Sequence, residues 1–151
     1  MSFSEKSLLE KKDITLKIAK KIAEAVCIEA EKMSVKAVTA VCNSGARPVL
    51  TEVMDGAYIA SFDIALGKAY TSASLKMPTK KLKNLSQPGG DLYGIQNTNS
   101  GKIVIFGGGE PLFYKGECVG AVGVSGGDEG EDTYLGEVAA EAFLKAVEED
   151  V

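Results

Sequence analysis

The sequence predicts an α+β domain with the order helix, strand, strand, helix, irregular loop, strand, strand, strand, helix. Three observations carry this. Apolar residues recur at helical spacing near both ends of the chain. Short β-branched runs bounded by Asn, Gly and Pro lie between those ends. The first two runs are close enough for a hairpin and the last three for a meander, so together with helices they imply a mixed or antiparallel sheet of five strands. At 151 residues the chain suits one domain with a core of its own.

Residues 1–12 are polar and read as a flexible lead-in to a single domain over 13–151. Asp13 or Thr15 can cap the first helix, whose apolar stripe runs Ile18, Ala19, Ile22, Ala23, Val26, Cys27 and Ala30. Lys36 to Cys42 reads as a strand. Asn43-Ser44-Gly45-Ala46 is turn chemistry, and Pro48 to Met54 returns, with proline tolerated at a strand start. Asp55-Gly56 closes the hairpin, and Ser61 to Leu75 reads as a second helix that Met77-Pro78-Thr79 ends. Residues 80–101 are mostly irregular. Lys102 to Phe106, Glu110 to Lys115 and Cys118 to Ser125 read as three strands joined by Gly107-Gly108-Gly109 and Gly116-Glu117. Gly120 and Gly123 within the last strand imply a bulge or close approach of another backbone. Tyr134 to Val147 is the closing helix.

The composition excludes several kinds of chemistry. The chain has no histidine, which removes Ser-His-Asp and Cys-His catalysis, histidine-ligated zinc and histidine-ligated haem. A net charge of −4 argues against nucleic acid as a partner. No apolar run approaches the roughly 20 residues of a membrane helix, and the start has no signal-peptide pattern, so the expectation is a cytoplasmic protein with no membrane partner. The three cysteines, Cys27, Cys42 and Cys118, are widely spaced and read as free thiols; no metal site is expected.

Glycine is concentrated: nine of seventeen fall between Gly107 and Gly130. Such a density serves tight hairpin turns, or a nest of N–H groups that cradles an anion at Gly107, Gly108 and Gly109. Charge is segregated as well. Lys68, Lys76, Lys80, Lys81 and Lys83 occupy a stretch without acids, whereas residues 128–151 hold nine acids and one lysine. These are solvated, mutually complementary faces, or the lysines draw a small anionic ligand towards the irregular loop. Lys68 sits among Ile64, Ala65 and Ala69, so its stem is a candidate for burial with the ammonium aimed at one partner. Glu52 and Asp55 are carboxylates near the hairpin end, suited to acid–base work or, for Asp55, to a turn. Tyr93 is the tyrosine best placed for a ligand contact.

Met54-Asp55-Gly56-Ala57, Lys68-Ala69-Tyr70-Thr71, Gln87-Pro88-Gly89-Gly90, Leu92-Tyr93-Gly94, the run Ile103 to Gly109 and the run Val119 to Gly127 occur in that order. In this the chain resembles the GlcG/HbpS-like family, which includes the C-terminal domain of PduO-type proteins, over roughly residues 13–147. The resemblance implies a profilin-like sheet of five antiparallel strands flanked by helices, and assembly into a dimer or larger ring. It implies haem, or cobalamin in one branch, as the cofactor, and a tie to glycerol, propanediol or glycolate metabolism. This chain departs from the family at Cys42-Asn43-Ser44-Gly45-Ala46, where relatives often have Val-Asp-Ala-Gly-Gly, and its lack of histidine excludes a bis-histidine haem. Tyr, Cys, Met or Lys remain as iron ligands, and a tetrapyrrole can also bind without an axial bond.

Three functions fit these residues. The first is an accessory protein that binds an anionic metabolite or tetrapyrrole at Lys68, Tyr93, Asp55 and Gly107–Gly109. The second is an enzyme of diol or hydroxy-acid metabolism using Lys68 with Asp55 or Glu52. The third is a structural oligomer. The first is favoured, because no catalytic constellation is visible.

Overall fold

The computed structural model describes residues 5–149. The first four residues of the lead-in and the last two of the domain lie outside that range. The helices are α1 (Leu16–Lys32), α2 (Ile59–Leu75), the single turn α3 (Leu82–Leu85) and α4 (Glu129–Glu149). The strands are β1 (Val38–Asn43), β2 (Pro48–Val53), β3 (Gly109–Tyr114) and β4 (Glu117–Ser125). They form one antiparallel sheet in the order β2-β1-β4-β3. Among the described residues no helix is long and apolar enough to cross a membrane.

Side chains alternate across a strand, so β1 and β4 divide their residues between two cores. Val41, Val122 and Val124 face α1 and α4, where Ile18, Ile22, Val26, Leu135 and Phe143 close a core of large aliphatic and aromatic groups. Val38, Ala40, Cys42 and Ala121 face α2 and meet Ala65, Ala69 and Ala73. The second core is built almost entirely from small residues, so α2 lies close on the sheet. Gly123 pairs with Ala40 in this layer. A Cβ there would overlap the Ala65 carbonyl and stand 2.6 Å from the Ala69 nitrogen.

Local chemistry sets the boundaries. Thr15, not Asp13, caps α1, its Oγ1 accepting from Ile18 N at 3.2 Å. Asp13 instead accepts from Ser44 N in the β1–β2 turn. In that turn Asn43 Oδ1 accepts from Gly45 N and Arg47 N, and the left-handed residue is Ala46 at φ 61°. The closing helix begins at Glu129, five residues before the expected Tyr134. The reason is a capping box: Asp128 Oδ1 accepts from Glu131 N while Glu131 Oε1 accepts from Asp128 N.

The expected five strands are four, because Lys102–Phe106 does not join the sheet. Thr71 on α2 captures the segment. Its Oγ1 donates to Gly67 O at 2.7 Å and accepts from Val104 N at 2.9 Å. The segment therefore lies along α2 as a strap with Ile103 buried, and Gly67 leaves room for Val104, whose Cγ2 would be 2.7 Å from a Cβ.

The lysine-only stretch and the acidic C-terminal part meet within one chain. Lys80 bonds Glu137 at 2.9 Å and Lys83 bonds Glu129 at 2.7 Å, tying the segment around α3 to α4. Glu110 on β3 is buried nearby, and burial pushes its carboxyl above the usual range, with Lys80 opposing. A raised folded pKa means its contribution to stability is full below the unfolded value of about 4.3 and is lost as pH rises through the folded value. Glu110→Gln should therefore raise the unfolding midpoint at pH 7 and change it little at pH 4. Equal shifts at both pH values in thermal melts would refute this.

Candidate functional site

Lys68 sits in the middle of α2 on the face that packs against β4, and its side chain is 0% exposed. Its ammonium donates to Val124 O and to Asp132 Oδ2, both at 2.8 Å, and lies 5.2 Å from the centre of the Phe106 ring. Asp132 Oδ1 accepts from Gly127 N at 2.8 Å. Burial pulls the ammonium below the ordinary lysine range and pushes the Asp132 carboxyl above its own, each against the charge of the other. The pair bolts α2 to the start of α4 through the end of β4.

The triple glycine passes directly over this pair. Gly108 has φ 121°, and a Cβ there would be 2.7 Å from Lys68 Nζ. Gly108 O accepts from Val124 N at 2.9 Å, and Gly109 N donates to Thr79 Oγ1 at 2.9 Å. Lys83, then the Gly107 amide, hold the Glu129 carboxyl below its usual range. An anion at this corner would meet the carboxylates of Glu129 and Asp132. The structure thus brings Lys68 together with Gly107, Gly108 and Gly109. Asp55 and Glu52 are exposed at the end of the hairpin, and Tyr93 is 67% exposed on its loop. Among the described residues, none of these three hydrogen-bonds to Lys68 or to the glycine run. The partner of Lys68 is Asp132, which sequence reasoning did not single out.

A larger concavity lies elsewhere, on the α2 side of the sheet. A cleft of about 690 Å³ opens between the β1–β2 turn, α2 and the strap. Ala40 and Cys42 form part of its floor, Ile64, Leu66 and Tyr70 part of its wall, and Arg47 and Lys102 contribute from the turn and the strap. Lys102 Nζ stands 5.4 Å over the Tyr70 ring, whose hydroxyl accepts from Asn99 Nδ2 at 3.0 Å. Cys42 Sγ donates to Ala69 O at 3.4 Å, and burial pushes its thiol up to about 12, so it stays protonated. Asp63 is the one carboxylate in the lining. Sequence reasoning missed this cleft because its residues come from three separate segments; the signal available was Arg47, the sole arginine of the chain, beside the departure at residues 42–46. Among the described residues no three His, Cys, Asp or Glu side chains gather as a metal site.

Comparison with known proteins places this architecture. A curated 15.0 kDa protein of Citrobacter freundii, described as uncharacterized and encoded in the dhaT-dhaS intergenic region, is 45% identical over 86% of this chain and 92% of its own length. The corrinoid adenosyltransferase PduO of the same organism is 33% identical over 81% of this chain, which spans only 36% of that enzyme. Among solved structures, Klebsiella pneumoniae protein ORFY superposes with a TM-score of 0.90 at 39% identity, covering 95% of this chain and 98% of ORFY. A PduOC:haem complex superposes with a TM-score of 0.83 at 29% identity, covering 86% of this chain and 94% of PduOC. The family described as haem degrading protein HbpS-like matches residues 14–141, and the chain belongs to that HbpS-like family.

Proposed function

We propose that this protein is a non-catalytic accessory that binds a flat, carboxylate-bearing ligand of the tetrapyrrole class in the cleft between the hairpin turn, α2 and the strap. The observation that carries the reading is the cleft itself. Its volume of about 690 Å³ suits a cofactor-sized molecule, Ala40, Ile64 and Leu66 give it apolar surface, and Arg47 and Lys102 supply cations for carboxylates. Similarity to a haem complex and to part of a corrinoid enzyme, both tetrapyrrole proteins by name, supports the same class. A tie to glycerol, propanediol or glycolate metabolism and assembly of the chain with copies of itself are also part of this proposal, and both rest on the family resemblance.

The cleft fits the organic frame of a haem but not its iron. Cys42 keeps its proton and donates to Ala69 O, Tyr70 accepts from Asn99, and Lys102, the one lysine in the lining, is assigned to a ligand carboxylate. The protein therefore offers the iron no ligand of its own in this cleft. The chain's own residues do two things: Arg47 and Lys102 orient the carboxylates, and the small-residue floor admits a flat face.

Titrating haemin and iron-free protoporphyrin by absorbance tests the reading. Both should saturate with affinities within a few-fold of one another. Arg47→Ala and Lys102→Ala should each weaken binding by roughly tenfold or more, the scale of a hydrogen bond to a charged group. Failure of both porphyrins to saturate would overturn the proposal, and so would binding that depends on the iron.

A further inference from the structure

A second, smaller cavity of about 270 Å³ opens at the corner where α2, the end of β4 and the start of α4 meet. Ser61 on α2 and Ser125 on β4 both line it and are 3% and 5% exposed. Strand alternation puts Ser125 on the same face as Ala121 and Gly123, towards α2, and Ser61 precedes Ala65 by one helical turn on the packed face. The two hydroxyls therefore occupy one seam. Elsewhere alanine and glycine fill much of that seam, with Lys68 crossing it. Neither hydroxyl is among the sealed polar atoms of the described residues left without a partner, which are Ser72 Oγ and Gln96 Oε1, so both can be reached from the cavity they line.

We propose that this cavity is a binding site for a small, neutral, hydroxyl-bearing molecule. The charges around it cancel in pairs. Asp132 faces Lys68 at 2.8 Å and Glu129 faces Lys83 at 2.7 Å, so neither an anion nor a cation finds an uncompensated partner. Tyr58, the N-cap of α2, reaches the rim, while Gly126 and Gly127 bring backbone to the wall. What is left over is hydroxyl chemistry. Ser61 and Ser125 can each donate and accept, as an alcohol requires. Ile64 and the Phe106 ring cover the apolar side of the ligand. At about 270 Å³ the cavity is well below the size of the main cleft and suits a small molecule.

The test is a titration of the full-length, 15N-labelled chain with glycerol, followed by amide chemical shifts. Saturable shifts should be confined to residues around Ser125–Gly127, the first turn of α2 and the first turn of α4. Ser61→Ala and Ser125→Ala should each weaken glycerol binding about three- to tenfold, whereas Ser74→Ala, an exposed position on the same helix, should not. The amide spectrum itself shows that each variant is folded. 1-Propanol, with two hydroxyls fewer, should bind more weakly than glycerol. Shifts that do not saturate, or that survive both serine substitutions, would overturn the proposal. Tighter saturation by acetate or methylammonium at this corner would also overturn it, since the site would then select charge.

Discussion

Lys68→Met is expected to destabilise the fold by about 3–5 kcal/mol, because it leaves the Asp132 carboxylate buried without a counterion. At this chain length that lowers the unfolding midpoint by roughly 6–20 °C. The loss has two parts: the Val124 carbonyl loses its donor, and Asp132 keeps only the Gly127 amide. The combined change Lys68→Met with Asp132→Leu removes both charges and should recover much of the loss, since a buried ion pair and an apolar pair of similar size are often close in stability. Calorimetric melts of the three proteins check this. A single Lys68 variant that melts within a degree of the parent would show that the pair contributes little.

Gly123→Ala should cost about 3 kcal/mol, at the upper end of what overpacking does to a core. The glycine has no unusual backbone angle, so the effect is steric. The new methyl would strike the Ala65 carbonyl and stand 2.9 Å from Lys68 Cβ, all on the helix that the Lys68–Asp132 pair holds in place. Neither the strand nor the helix backbone can give way without disturbing the register of β1 against β4. Gly89→Ala is the contrast. There the methyl meets nothing within 4 Å and only the left-handed φ of 88° opposes it, for about 1–2 kcal/mol. Urea unfolding of both variants separates the two causes, and equal midpoints would remove the close-packing argument.

Much of this architecture was legible in the chain. The stripe from Ile18 to Ala30, the turn residues Asn43 to Ala46 and the glycines Gly120 and Gly123 in β4 each obey a local rule, and the helix, the turn and the close backbone approaches formed where the rule put them. The strap at 102–106 did not. Ile103-Val104-Ile105 has the composition of a strand, and only Thr71, thirty-three residues away, offers the hydroxyl that takes Val104 N out of a ladder. Helix α4 starts early for a local reason that was visible: Asp128-Glu129-Gly130-Glu131 is a capping box, masked by the glycine inside it. For the site, the apolar setting of Lys68 is a sequence feature, but its partner Asp132 is sixty-four residues further on. The cleft with Arg47 and Lys102 depends wholly on tertiary placement.

The unequal cores have a consequence for how this chain can change over time. Beneath α1 and α4, bulky aliphatic groups can trade volume with one another, so drift there is absorbed by repacking. Beneath α2, small residues pack closely and Gly123 meets main chain directly, so enlargement there has less room to be absorbed. The half of the molecule that carries both cavities is therefore the half that selection holds still, and new binding preferences can arise there only through the rim residues.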